Sequence, residues 1–257
     1  MVSSVLIIIG CIVGAMLGLT GAGGGVLAIP LLVVLADLGP SEAISTSLVG
    51  VTIISVMGTI RSIIKKELLW KVTLPAAVAA ILGAPMGTWA GQYLSEALLG
   101  NLFVILSLMI VVLMWRNGCQ YENLKTSSKK QSALVQWGGS IGAGLATGIL
   151  SGLFGVGGGF LLVPALTLLG GQPMRVASVS SLFIISLSAG SAIVSRSFQQ
   201  IPLPWAQAFT LASAGLLTYY ISDRLAKRIR PCRLKEIFAI SLAGVLLIMF
   251  VQQTFLS

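Results

Sequence analysis

GAMLGLTGAGGGVLAIP at residues 14–30 and GILSGLFGVGGGFLLVP at residues 148–164 are one pattern written twice. The match extends without a gap from 14–60 onto 148–194, at a constant offset of 134, with 14 of 47 positions identical. The identities form a signature. Gly14, Gly18, Leu19, Gly21, Gly23, Gly24, Gly25 and Pro30 meet Gly148, Gly152, Leu153, Gly155, Gly157, Gly158, Gly159 and Pro164. Further on, Ala43-x-x-Thr46-Ser47 meets Ala177-x-x-Ser180-Ser181. Shared apolar composition would pair Leu with Val at random, but would not hold glycines and a proline in register. The chain is an internal duplication, a common plan among secondary transporters.

The surroundings of the two copies say which solvent they face. Of 257 residues 56% are apolar and only 9% charged, whereas a water-soluble domain carries about 25% charged residues. Eight apolar runs stand out: 5–37, 42–62, 71–93, 97–115, 134–171, 174–195, 204–222 and 235–256. Six suit one helical crossing of about 20 residues. The other two, 5–37 and 134–171, are too long for that, and each is interrupted by a glycine cluster. The first run has neither a basic n-region nor a cleavage site, so no cleaved signal peptide is expected. The formal charge of +9 sits in short loops between apolar runs, which points to a lipid bilayer as partner and away from nucleic acid. No histidine is present, and Cys11, Cys119 and Cys232 are far apart. Neither a metal nor a catalytic imidazole is expected, nor is an enzyme.

Charge counting fixes the topology. Eight alternating spans divide the basic residues nine to seven, which is no preference. If 5–37 and 134–171 instead fold back at their glycines and leave on the face they entered, fifteen basic residues lie inside and only Arg196 outside, as the positive-inside rule requires. The expected fold class is therefore an all-α membrane protein of two inverted repeats, each a glycine-broken hairpin plus three transmembrane helices. The first repeat covers 1–118, a cytoplasmic linker 119–133, and the second repeat 134–257. Trp70, Trp115, Trp137, Tyr219 and Tyr220 fall near inner ends and Trp89, Tyr93 and Trp205 near outer ones, as interfacial belts do.

Glycine permits the sharp reversal a hairpin tip needs, and non-helical backbone survives at membrane depth only inside protein or along a wet cavity. Arms of about 14–16 residues bring each tip to or past the midplane. The second arm then starts deep, with free amides and a positive dipole end that favour an anion. Because the repeats are inverted, these two ends are expected to face each other across the centre. The competing role for the glycines is helix packing, which is how the stripes Gly10/Gly14/Gly18 and Gly83/Gly87/Gly91 read. Pro30 and Pro164 either interrupt their arms, freeing the carbonyl of Val26 or Phe160, or open them at the first turn. Thr46-Ser47 and Ser180-Ser181 can donate to an oxyanion, or bond neighbouring helices instead. The candidate substrate-binding residues are thus Gly21, Gly23, Gly24, Gly25, Thr46, Ser47, Gly155, Gly157, Gly158, Gly159, Ser180 and Ser181. Arg61 and Arg196 read as snorkelling interfacial side chains, with anion attraction as the other use. The seven acidic residues all lie in loops or at span ends. An intramembrane carboxylate relay is therefore not visible, and a core with positive helix ends suits an anion.

The doubled G-x-x-x-G-L-x-G-x-G-G-G-x-x-x-x-P signature, each copy followed by A-x-x-[ST]-S, closely resembles the TauE/SafE family of membrane permeases. That resemblance spans both halves. It implies a multi-pass transporter of the cell inner membrane, without a cofactor, for small sulfur-containing anions such as sulfite, thiosulfate or organosulfonates. A secondary carrier working by alternating access, most simply an exporter, is the leading reading; a passive anion channel of the same fold is the alternative.

Overall fold

The computed structural model describes residues 2–21, 24–116, 133–155, 162–163, 174–226 and 244. Among these residues the structure is all-helical: α1 Val2–Thr20, α2 Gly24–Ala36, α3 Pro40–Ile64, α4 Trp70–Gln92, α5 Glu96–Arg116, α6 Ala133–Phe154, α7 Met174–Phe198 and α8 Trp205–Ala226. Most of the expected linker 119–133, the last span 235–256 apart from Gly244, and the tip residues Gly23 and Gly157, Gly158 and Gly159 lie outside the described residues. Four helices are long and apolar enough to cross a membrane: Ser3–Thr20, Pro40–Ile64, Thr73–Gln92 and Ala177–Phe198. Apolar side chains also cover the outside. Leu74, Val78, Leu82, Met86 and Trp89 form an exposed strip along α4 at helical spacing, as expected of a helix with lipid on one side and protein on the other.

The glycine stripes set the closest approaches. A Cβ added to Gly10, Gly14 or Gly18 of α1 would meet the carbonyl oxygens of Leu211, Gly215 and Tyr219 on α8. One added to Gly144, Gly148 or Gly152 of α6 would meet those of Ala76, Ala80 and Ala84 on α4. These rows correspond across the duplication. In each case a hairpin arm of one half lies backbone to backbone on a helix of the other half, the close contact that small residues permit in lipid. Gly83 and Gly87 of α4 supply the same closeness toward Leu145 and Ile149 of α6.

These contacts also give directions. Residue numbers rise together along α1 and α8 and along α4 and α6, so both pairs run parallel. Gln207 bonds Glu42 and Arg61 pairs with Asp223, so α3 runs with α8. Thr73 bonds Ser180 and Ser191 bonds Ile81, so α4 runs with α7. Arg196 reaches Ser45 while Leu182 lies near Gly58, so α3 and α7 are antiparallel. Helices α1, α3 and α8 thus point one way and α4, α6 and α7 the other.

Helix α2 doubles back on α1. Gly24 lies against Val13 and Leu17 of α1; a helix continued straight from 13 to 24 would separate them by about 16 Å. Gly14 and Gly18 lie beside Gly215 and Tyr219, and Gly215 touches Ile54 of α3, so α2 begins level with the middle of α3. The arms are unequal, 19 residues in α1 against 13 in α2, where similar lengths were expected. Helix α1 therefore runs on to the Asp223 end of α8, whereas α2 starts level with Val13 and Leu17 of α1. Pro30 sits inside α2, which settles its role. It does not open the arm but interrupts it, removing the hydrogen bond to the Val26 carbonyl.

Candidate functional site

Two turns, one in each half, carry the site. Gly21 closes the end of α1 with φ +75, and its amide bonds back to the Leu17 carbonyl at 2.8 Å. A side chain is strained at that φ, and a Cβ would come within 2.6 Å of the Ser178 carbonyl oxygen. Gly155 closes α6 with φ +67 and bonds Ser151 at 2.9 Å. A Cβ there would collide with Ile44. Ser178 and Ile44 are themselves related by the offset of 134, so each tip inserts against the matching helix of the opposite half.

The two first-arm tips do not meet. Gly21 lies by Ser178 and Ser181, and Gly155 by Ile44 in the second turn of α3. Gly18 lies by Asp223, whose partner on α3 is Arg61. At 1.5 Å per residue, about 26 Å of α3 separates Ile44 from Arg61. The tips therefore pass one another and end near opposite ends of the bundle; of the two second-arm starts expected to face each other, the one at Gly158 and Gly159 lies outside the described residues. What lies deep instead is the start of α2. Gly24, Gly25, Val26 and Leu27 are all buried, with no acidic residue in the first turn. Their amides lack intrahelical partners, so this point carries positive potential.

The hydroxyl pairs divide by their partners. The single Ser181 O–H lies within reach of two acceptors, the Gly21 carbonyl at 2.8 Å and the Ser178 carbonyl at 2.7 Å, the first of which ties α7 to the first tip. Its counterpart Ser47 is fully buried, and its oxygen has no hydrogen-bond partner. It stands one helical turn from Ile44, which touches Gly155. An unpaired buried hydroxyl costs about 1–3 kcal/mol, and among the described residues nothing offsets that cost at Ser47. Ser55 and Thr59, further along α3, are also buried and unpaired.

Thr46 and Ser180 look elsewhere. Thr46 donates to Gln207 Oε1 of α8 at 3.3 Å, and Ser180 accepts from Thr73 of α4 at 2.9 Å. Gln207 and Thr73 again differ by 134. This matched pair of inter-helix bonds escaped the sequence reading, although two polar residues at the repeat offset inside apolar spans were the available signal.

The arginines also differ from one another. Arg61, 23% exposed, pairs with Asp223 at 3.0 Å and lies 4.8 Å from the Tyr220 ring centroid. Arg196 was expected in a loop as a snorkelling side chain. It lies instead in the last turn of α7 and is buried. Helix α7 continues to Phe198, so the packing of α3 against α7 encloses the guanidinium.

An apolar, multi-helix bundle with a lipid-facing exterior and buried glycine turns defines a multi-pass membrane protein. The Sulfite exporter TauE/SafE family profile matches residues 6–249, and the chain belongs to that family of membrane transporters. It is 34% identical over 187 residues to a probable membrane transporter protein of Xylella fastidiosa (strain Temecula1), covering 72% of this chain and 70% of that one. It is 29% identical over 214 residues to the probable membrane transporter protein YunE of Bacillus subtilis (strain 168), covering 75% and 77%. A third relative, the probable membrane transporter protein MJ0441 of Methanocaldococcus jannaschii, is 30% identical over 196 residues, covering 74% and 70%. No solved structure gives a significant match.

Proposed function

We propose that this transporter carries small sulfur-containing anions such as sulfite, thiosulfate or organosulfonates by alternating access, most simply outward. The two halves act as inverted repeats, with 1–118 and 134–257 rocking about the hairpins. Substrate is held in turn, as the access side changes, by two sets of amides and hydroxyls: Gly21, Gly23, Gly24, Gly25, Ser180 and Ser181, and Gly155, Gly157, Gly158, Gly159, Thr46 and Ser47. The observation that carries this reading is the buried, acid-free start of α2 at the middle of the bundle. Exposed amides at a helix start attract an anion.

The opposite directions of α1 and α6, α3 and α7, and α4 and α8 support the inverted arrangement, which exchanges the roles of the two tips when the access side changes. Thr46 and Ser180 contribute through the bonds to Gln207 and Thr73, which connect the substrate helices to α8 and α4.

Flux from proteoliposomes loaded with sulfite, thiosulfate, sulfoacetate or chloride tests the proposal. Saturable, counter-transport-stimulated flux of at least one sulfur anion is expected, with chloride much slower. Linear, voltage-driven conductance would identify a channel, and transport of none of the sulfur anions would remove the substrate class. In the same assay Ser47→Ala should raise KM by about tenfold, the cost of a hydrogen bond to a charged group. Its melting temperature should not fall, because Ser47 has no hydrogen-bond partner to lose among the described residues. An unchanged KM would reduce Ser47 to packing.

A further inference from the structure

The two ends of the α3–α7–α8 bundle treat their arginines differently, and the difference is chemical. At one end Arg61 and Lys65 share Asp223 at 3.0 and 3.7 Å. At the other end Arg196 is only 6% exposed and has no carboxylate at ion-pair distance among the described residues. Its Nη1 donates to Ser45 Oγ at 2.8 Å and to the Ser41 carbonyl at 3.4 Å, both neutral acceptors on α3. Its Nε is buried with no hydrogen-bond partner among the described residues. Glu42, the carboxylate nearest in sequence to these acceptors, faces α8 and accepts from Gln207 at 2.9 Å.

A guanidinium stays charged under all ordinary conditions, and a buried unpaired charge is costly. The carbonyl end of the α7 dipole offsets part of that cost. The start of α3 opposes it, because the free amides there are also positive. Ser45 is adjacent to Ile44, against which the Gly155 tip is seated. A buried cation, a helix start and a glycine turn therefore converge, and among the described residues the one carboxylate of that helix start, Glu42, is bonded to Gln207 and makes no ion pair with Arg196.

We infer that Arg196 is a substrate-binding residue. Together with Ser45 and the Gly155 turn, it forms an end site for a small oxyanion between α3 and α7. This rests on the anion-transport reading and adds to it the one full positive charge that binds the cargo. The planar guanidinium fork offers parallel N–H donors to two oxygens of one ligand, so the site suits an oxyanion such as sulfite or thiosulfate better than a spherical halide. Arg61 is not its equivalent, since it is paired with a carboxylate, Asp223, at 3.0 Å. The pair of arginines thus makes the two ends unequal although the backbone repeats are alike.

The experiment measures melting of the purified full-length protein in detergent with sodium sulfite, thiosulfate or chloride, alongside flux in proteoliposomes. Wild-type protein should be stabilised by the oxyanions more than by chloride. Arg196→Gln should lose that stabilisation and raise flux KM by at least about tenfold. Arg196→Lys should recover part of it, because it restores the charge without the fork. Arg61→Gln should keep the anion-induced shift. Ser45→Ala, which removes one anchor of the guanidinium and no charge, gives an independent variant should Arg196→Gln fail to fold, and it should weaken oxyanion stabilisation several-fold. Wild-type-like oxyanion stabilisation and KM in Arg196→Gln, or in Ser45→Ala if the former is unfolded, would overturn the assignment. So would equal loss of the shift in Arg61→Gln. Arg196-dependent oxyanion stabilisation without flux of any sulfur anion would uphold the site while sinking the transport reading.

Discussion

Gly21→Val should reach the membrane and fail to transport. Valine at φ +75 is disfavoured by about 1–2 kcal/mol from backbone sterics alone. The added Cβ would also lie 2.6 Å from the Ser178 carbonyl oxygen and 2.7 Å from its Cβ. These are atoms on or next to the backbone of α7, which cannot swing aside, so overpacking adds about 1–3 kcal/mol. Relief of both terms requires the tip to leave α7, which breaks the Ser181 bond to the Gly21 carbonyl. Gly155→Val should behave alike, with φ +67 and Ile44 in the way. Gly39→Val is the control, since Gly39 has φ −58 and nothing within 4 Å of an added Cβ. Flux at the wild-type rate in both tip variants would show that the turns play no part in transport.

Gly14→Leu and Gly148→Leu should damage stability first and transport only as a consequence. At Gly14 the new side chain runs into the Gly215 carbonyl of α8; at Gly148 it meets the Ala80 carbonyl of α4 and, at 2.8 Å, the Ala80 Cα. No rotamer removes a Cβ clash with backbone, so one helix must move off the other along the whole stripe. The expected loss is about 3 kcal/mol, the upper part of the overpacking range, read as a large fall in melting temperature in detergent. Gly142→Leu lies on the same helix as Gly148 but has open space around it, and should melt like the wild type. Equal melting of Gly14→Leu and wild type would mean that α1 and α8 are not in backbone contact.

The legible part of the fold came from composition and register. Apolar runs placed the helices to within a few residues because lipid demands length, and 42–62 corresponds to α3 at Pro40–Ile64. The glycine register located both turns, since a positive φ at Gly21 and Gly155 leaves few other residues possible. Packing was less legible. Nothing local in Gly14 says that its neighbour is Gly215, two hundred residues away and in the other half. Nor could the hydroxyls be sorted, because Thr46 and Ser47 are adjacent on one helix and point about 100° apart. One faces Gln207, while the other stands unpaired on the turn that carries Ile44. Arg196 was misplaced because charge at a span end usually reaches water. Its place in the charge count, as the one basic residue expected outside, was the clue.

The account turns on each hairpin entering and leaving by one face, with the two halves using opposite faces. Single cysteines at Ser3, Gly39, Gly138 and Gly171, introduced after Cys11, Cys119 and Cys232 are replaced, read this out with a membrane-impermeant maleimide applied from either side. Ser3 and Gly39 bracket the first hairpin and should both label from outside the cell. Gly138 and Gly171 bracket the second and should both label from the cytoplasm. Labelling of Ser3 and Gly39 from opposite sides would make 5–37 a single crossing and contradict the account.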